Sequence, residues 1–277
     1  MLRAMNSTSI LKGAALATLC CSCAATLEPA DLAPTPQRPR ISKNTQTTAK
    51  DSVELEAGLS LDPNDFVDTP FVFKYGVSDN TEAVLETSPL RRYEFGGESE
   101  TGIGDLAFGF RHRFDNGGDG GPAFGIEFVG KLPTSDTSDE GKFGTGGRDP
   151  RTMIAGAANT GSTDLTIAGI VEQQNGDMNV VGYGAINAFG SGVGGTLYQL
   201  LLASHAAMPL TDADTVFAEI AWALNEQVPD TAVVQGGVYR RVGANMTADA
   251  AVGLGLNGDS PALYFMVGVS TNFGYLR

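Results

Sequence analysis

The stretch Ala262-Leu-Tyr-Phe-Met-Val-Gly-Val-Ser-Thr-Asn-Phe273 decides how the rest of this chain is read. Leu263, Phe265, Val267, Val269 and Phe273 share one parity, while Gly268, Ser270 and Asn272 share the other. Successive strand side chains point to opposite faces, so this stretch has one oily face and one small or polar face. The pattern recurs from Val53 onward. It predicts strands at 53–60, 70–77, 81–87, 103–114, 123–132, 165–174, 179–189, 197–208, 215–225, 232–242, 247–256 and 262–273, separated by turns rich in Gly, Asn, Asp and Pro. No stretch is apolar enough for long enough to be a transmembrane helix. An open sheet edge in lipid would leave backbone groups unpaired, so a strand-built membrane protein must close on itself. The expected fold is therefore all-β, an antiparallel transmembrane β-barrel of about 12 strands with an apolar outside and a polar lumen.

The N-terminus reads differently. Arg3 and Lys12 precede an apolar run at 13–23 and the small residues Ala24 and Ala25, the composition of a cleavable signal peptide over residues 1–25. Cys20, Cys21 and Cys23 all lie in this leader, with lipid attachment at Cys23 as an alternative. Residues 26–50, with Pro29, Pro34, Pro36 and Pro39, read as a disordered periplasmic lead-in. Residues 51–277 are the expected barrel. The leader holds two of the 18 basic residues and none of the 32 acidic ones, so the remainder carries a formal charge of −16. Such a chain is a poor nucleic-acid partner.

Starting in the periplasm and alternating direction puts the short turns at 78–80, 115–121, 175–177, 211–214 and 243–246 on the periplasmic side. The two longest loops, 88–101 and 133–163, then fall together on the outside. Short periplasmic turns and longer outer loops are the expected asymmetry.

Several motifs occur in fixed order. They are Val53-Glu-Leu-Glu-Ala-Gly-Leu59, Phe73-Lys-Tyr-Gly-Val77 with Asp79-Asn80, Gly102-Ile-Gly-Asp-Leu106 with Phe110-Arg-His-Arg-Phe114, and Lys131-Leu-Pro-Thr-Ser-Asp136. This resembles the outer-membrane transporter-like barrels labelled "MetA pathway of phenol degradation". The resemblance implies an outer-membrane address in a Gram-negative bacterium and a transport role.

The inward parity carries the candidate lumen-lining residues Glu54, Glu56, Lys74, Asp105, Arg111, Arg113, Glu127, Lys131, Glu172, Glu219 and Arg241, with Glu82, Glu86, Gln235 and Asp249 beside them. Mixed charges there either pair and fill the barrel or line a narrow water path. Trp222 has the outward parity of a lipid-facing or interfacial residue. His112 and His205 have no metal-type partner at helical or strand spacing, so no metal, cofactor or catalytic residue is expected. A lipase-type Ser–His pair is disfavoured, because His205 has no suitably placed Ser nearby in sequence. Gly253-Leu-Gly-Leu-Asn-Gly258 fits the dinucleotide fingerprint literally, but strand residues follow it rather than a helix. Asp136, Asp139 and Glu140 read as a solvated loop. The expected role is passive transport or uptake of small molecules, with a closed structural or adhesion barrel acting through surface loops as the alternative. The expected partners are outer-membrane lipid, the barrel-assembly machinery and an unidentified small solute.

Overall fold

The computed structural model describes residues 27–28, 30, 32–63, 66–95, 98–114, 120–135, 162–190, 196–226 and 229–277. The predicted leader lies outside the described residues, as do Asp136, Asp139 and Glu140. The strands are β1 (Leu27–Glu28), β2 (Ser52–Asp62), β3 (Phe66–Asp68), β4 (Phe71–Ser78), β5 (Thr81–Thr87), β6 (Arg91–Phe95), β7 (Glu98–Gly102) and β8 (Leu106–Arg113). They continue with β9 (Ala123–Leu132), β10 (Asp164–Asn175), β11 (Met178–Gly190), β12 (Thr196–Pro209), β13 (Asp214–Asn225), β14 (Thr231–Arg241), β15 (Met246–Gly255) and β16 (Leu263–Leu276).

Twelve of these, β2, β4, β5 and β8 to β16, form a closed antiparallel wall. The seam runs from Phe265↔Leu61 to Tyr275↔Ser52 between the last and first wall strands. Closure removes both sheet edges, which is what allows strands to cross lipid. Every predicted strand is present, and 81–87 and 123–132 agree at both ends. The last strand runs on to Leu276 through a bulge between Asn272 and Gly274, where Gly274 takes a φ of 93°. A side chain is disfavoured in that left-handed conformation.

The outer surface is the oily one. Phe108, Phe110, Phe128, Ile167, Ile186, Trp222 and Val267 are all exposed, Ile186 at 61%. A continuous apolar band of this extent needs lipid against it.

Two segments differ from the expectation. Residues 88–101 were expected as a plain loop. They form most of the β6–β7 hairpin, which pairs through β3 to the end of β2. This hairpin lies beyond the wall and so lacks the oily alternation that marks the lipid-crossing strands. The larger correction concerns residues 26–50, expected to be disordered outside the barrel. Residues 32–49 instead run through the lumen, and Gln37, Arg38, Arg40, Ile41, Ser42, Lys43, Asn44 and Thr45 are buried there. The segment's Pro34, Pro36 and Pro39 have no N–H to give to a β-ladder. Its remaining amides find other partners.

Candidate functional site

Those partners are carboxylates on the wall. The inner segment begins near the terminal end of the barrel, where β2 starts and β16 finishes. It rises to Glu56, crosses to β13, and returns along β10 and β5 to β2. Glu54 accepts the Thr35 amide at 3.1 Å, and Glu56 accepts the amides of Gln37 at 3.0 Å and Arg38 at 2.9 Å. Glu219 accepts those of Ile41 and Ser42. Glu172 takes the amide of Thr45 at 2.8 Å and its hydroxyl at 2.6 Å, and Glu82 takes those of Thr48 at 2.7 and 2.9 Å. Five carboxylates thus satisfy seven amides in a segment with no regular structure. Bonds to ionised acceptors are stronger than neutral ones, each contributing about 1.5–3 kcal/mol.

Wall cations balance three of these carboxylates, Glu54, Glu56 and Glu82. Lys74 lies 2.7 Å from Glu54 and 2.8 Å from Glu56. Arg111 bridges Glu82 at 2.7 Å and its cross-strand neighbour Glu127. Lys43, from the inner segment, reaches Glu127 at 3.2 Å and Glu86 at 3.4 Å. Burial works against the Lys43 charge, but Glu127 and Glu86 outweigh it and leave the lysine pKa raised. Lys131 belongs to a separate cluster nearer the long loops, 2.9 Å from Asp105 and 2.7 Å from Asp164.

Nine of the candidate residues, Glu54, Glu56, Lys74, Asp105, Arg111, Glu127, Lys131, Glu172 and Glu219, are buried inside the barrel. Arg113 and Arg241 sit at the rim of the terminal end. There Arg241 is exposed and donates to the Asp212 carbonyl at 2.9 Å, and Arg113 reaches the Asp79 carbonyl at 3.5 Å. The lumen is also less uniformly polar than alternation suggests. Val181, Leu201, Val233 and Tyr264 are buried with Ile41 of the inner segment. Gly253 has no dinucleotide to meet, because the Tyr264 ring lies where its Cβ would be, with Tyr264 Cζ 2.0 Å from that position.

The inner segment also creates a contact invisible to sequence spacing. Ser42 Oγ lies 2.6 Å from His205 Nδ1 and is hydrogen-bonded to Glu219, while His205 Nε2 meets Arg40. A guanidinium only donates, so Nε2 accepts and the ring proton sits on Nδ1. His205 then donates to Ser42, and Ser42 donates to Glu219. This order leaves His205 unable to take the serine proton, which a nucleophilic Ser–His pair requires.

Among the described residues, the segment lies between two cavities. One, of ≈ 100 Å³, is at the long-loop end and lined by Gln37, Arg38, Lys74, Val84, Arg91 and Met266, among others. The other, of ≈ 310 Å³, is at the terminal end and lined by Asn44, Tyr239, Arg241 and Thr247, among others. Arg40 lines both. No group of three or more metal-type ligands occurs among the described residues.

The fold has known counterparts. An outer membrane channel from Pseudomonas putida F1 superposes with a TM-score of 0.57 at 9% identity, covering 82% of this chain and 97% of that one. The KdgM porin gives 0.52 at 8% identity, covering 79% and 98%, and its complex with disordered oligogalacturonate gives 0.50 with the same coverage. No family model matches the sequence, and no curated protein does. At these identities the likeness is one of fold, that of a Gram-negative outer-membrane barrel. The likeness to the phenol-degradation transporters finds no counterpart in sequence-family matches.

Proposed function

We propose that this chain is an outer-membrane channel for passive uptake of small solutes, hydrophobic or aromatic ones among them, with its own N-terminal segment as the gate. The observation that carries this reading is how the segment is held. Its backbone is bound by side-chain carboxylates and not by β pairing, so it can leave without breaking the wall's ladder. The fold shared with channels and porins supports passage, and the charged wall behind the segment is compatible with water. The long-loop cavity sets the apolar Val84 and Met266 beside Arg38 and Lys74, a surface suited to a small amphipathic solute. No catalytic residue is assigned, because the Ser42–His205 contact runs its protons the wrong way. Export through the 1–25 leader, insertion by the barrel-assembly machinery and an annulus of outer-membrane lipid belong to the same reading.

The second reading, a closed structural or adhesion barrel acting through its loops, is favoured by the occupied lumen. Planar-bilayer recording separates the two. The channel reading expects low conductance from the parent and larger, longer openings from Glu172→Gln and Glu219→Gln. Silence from all three under every voltage and salt condition would sink it. Loss of partner binding after shortening the 133–163 loop, with permeability unchanged, would establish the alternative.

A further inference from the structure

We infer that water and small inorganic ions cross this barrel while the inner segment is still seated, along the wall made by β14, β15 and β16. The inner segment is bound unevenly. On β2, β5, β10 and β13 wall carboxylates hold its amides. On β15 the one inward carboxylate, Asp249, holds none.

Instead this wall gathers polar atoms that have no hydrogen-bond partner among the described residues. They are Tyr239 Oη, both carboxylate oxygens of Asp249, Ser270 Oγ, and the Nε atoms of Arg38 and Arg40. All five residues are at least nine-tenths buried. They are also neighbours. Tyr239 pairs with Asp249 and Asp249 with Gly268 across adjacent strands. The Arg38 guanidinium is 3.9 Å from Asp249, too far for a hydrogen bond, and Arg40 lies 5.3 Å from the centre of the Tyr239 ring. Buried polar groups are rarely left unsatisfied, and a site with several donors and acceptors together is where ordered water resides.

The position of the cluster makes it a path. Arg38 lines the long-loop cavity, Tyr239 lines the terminal cavity, and Arg40 lines both. Gly58 and Gly268, paired across the seam, leave room beside it for the Arg38 side chain. A file of water past Arg40 therefore joins the two cavities, with Arg38, Arg40 and Asp249 facing it. Passage of this kind excludes any solute that needs the segment to move.

Substituted cysteines in the full-length chain test the path. Ser270 and Val181 are both 0% exposed, but Val181 lies on the opposite wall, one strand from Glu172. A small charged methanethiosulfonate should label Ser270→Cys at least about tenfold faster than Val181→Cys, read by mass spectrometry of the peptide. Equal, slow labelling of both in folded barrels, with fast labelling of both after unfolding, overturns the inference. In bilayers, Asp249→Asn should shift the small resting conductance toward anions in a salt gradient. An unshifted reversal potential, or no resting conductance in the parent, also overturns it. The labelling arm needs no solute uptake and no segment release, so its failure is separable from failure of the gated-channel reading.

Discussion

Glu219 accepts the backbone N–H groups of Ile41, at 2.9 Å, and of Ser42, at 2.6 Å, from a position 177 residues beyond Ser42 in the chain. That bidentate grip fixes the segment where it turns across the lumen. Glu219→Ala removes both acceptors and strands two amides. At about 1.5–3 kcal/mol per charged hydrogen bond, seating should weaken by well over tenfold. Limited trypsin digestion of folded barrels should then cut after Arg40 or Lys43, positions protected in the parent.

Arg111 is buried between Glu82 and Glu127. Arg111→Ala leaves two buried carboxylates short of a counter-charge, and breaking a buried pair in this way costs about 3–5 kcal/mol. The temperature at which the folded band converts in heat-modifiable gel migration should fall clearly. Arg113→Ala, at the rim, should cost less than about 1 kcal/mol and leave that temperature nearly unchanged.

At Gly58 an added Cβ would lie 2.1 Å from Arg38 Nη2 and 2.6 Å from the Val267 carbonyl. Gly58→Ala should therefore dislodge Arg38 and alter resting conductance in the same direction as Arg38→Ala. Gly169→Ala, where nothing lies within 4 Å, should leave conductance and folding as they are. If Gly58→Ala does not assemble, Arg38→Ala alone reads the same contact.

Lys43 gains its raised pKa only in the seated state. Its stabilisation is complete below the ordinary lysine value and disappears as pH climbs through the raised one. Lys43→Gln should accordingly convert at a lower temperature than the parent at pH 8. The gap should close only above the ordinary lysine pKa of about 10.4.

The wall was legible because lipid outside and polar groups inside write a period of two into every strand. Phe124, Ile126 and Phe128 alternating with Gly125 and Glu127 need no other information. The β6–β7 hairpin stands clear of lipid and carries no such signature. The inner segment was illegible for another reason. Its structure comes from amide–carboxylate bonds to residues 18 to 178 positions away, and no local pattern encodes them. The only hint was an excess of inward glutamates over inward cations. Glu54, Glu56, Glu82, Glu172 and Glu219 outnumber the lysines and arginines beside them because backbone amides take up the remainder. The Ser42–His205 contact was hidden likewise, since nothing in the spacing of two residues 163 apart announces it.

The same bonds act on the wall as well as on the segment. Glu54, Glu82, Glu172 and Glu219 stand on strands spaced around the circumference, so the segment works like a hub whose spokes hold a rim to shape. A twelve-stranded tube without such bracing can flatten into an ellipse at little cost to its ladder. Withdrawal of the hub should therefore change the outline of the passage along with vacating it. The cross-section a solute meets would then be that of a relaxed rim, not of the braced one.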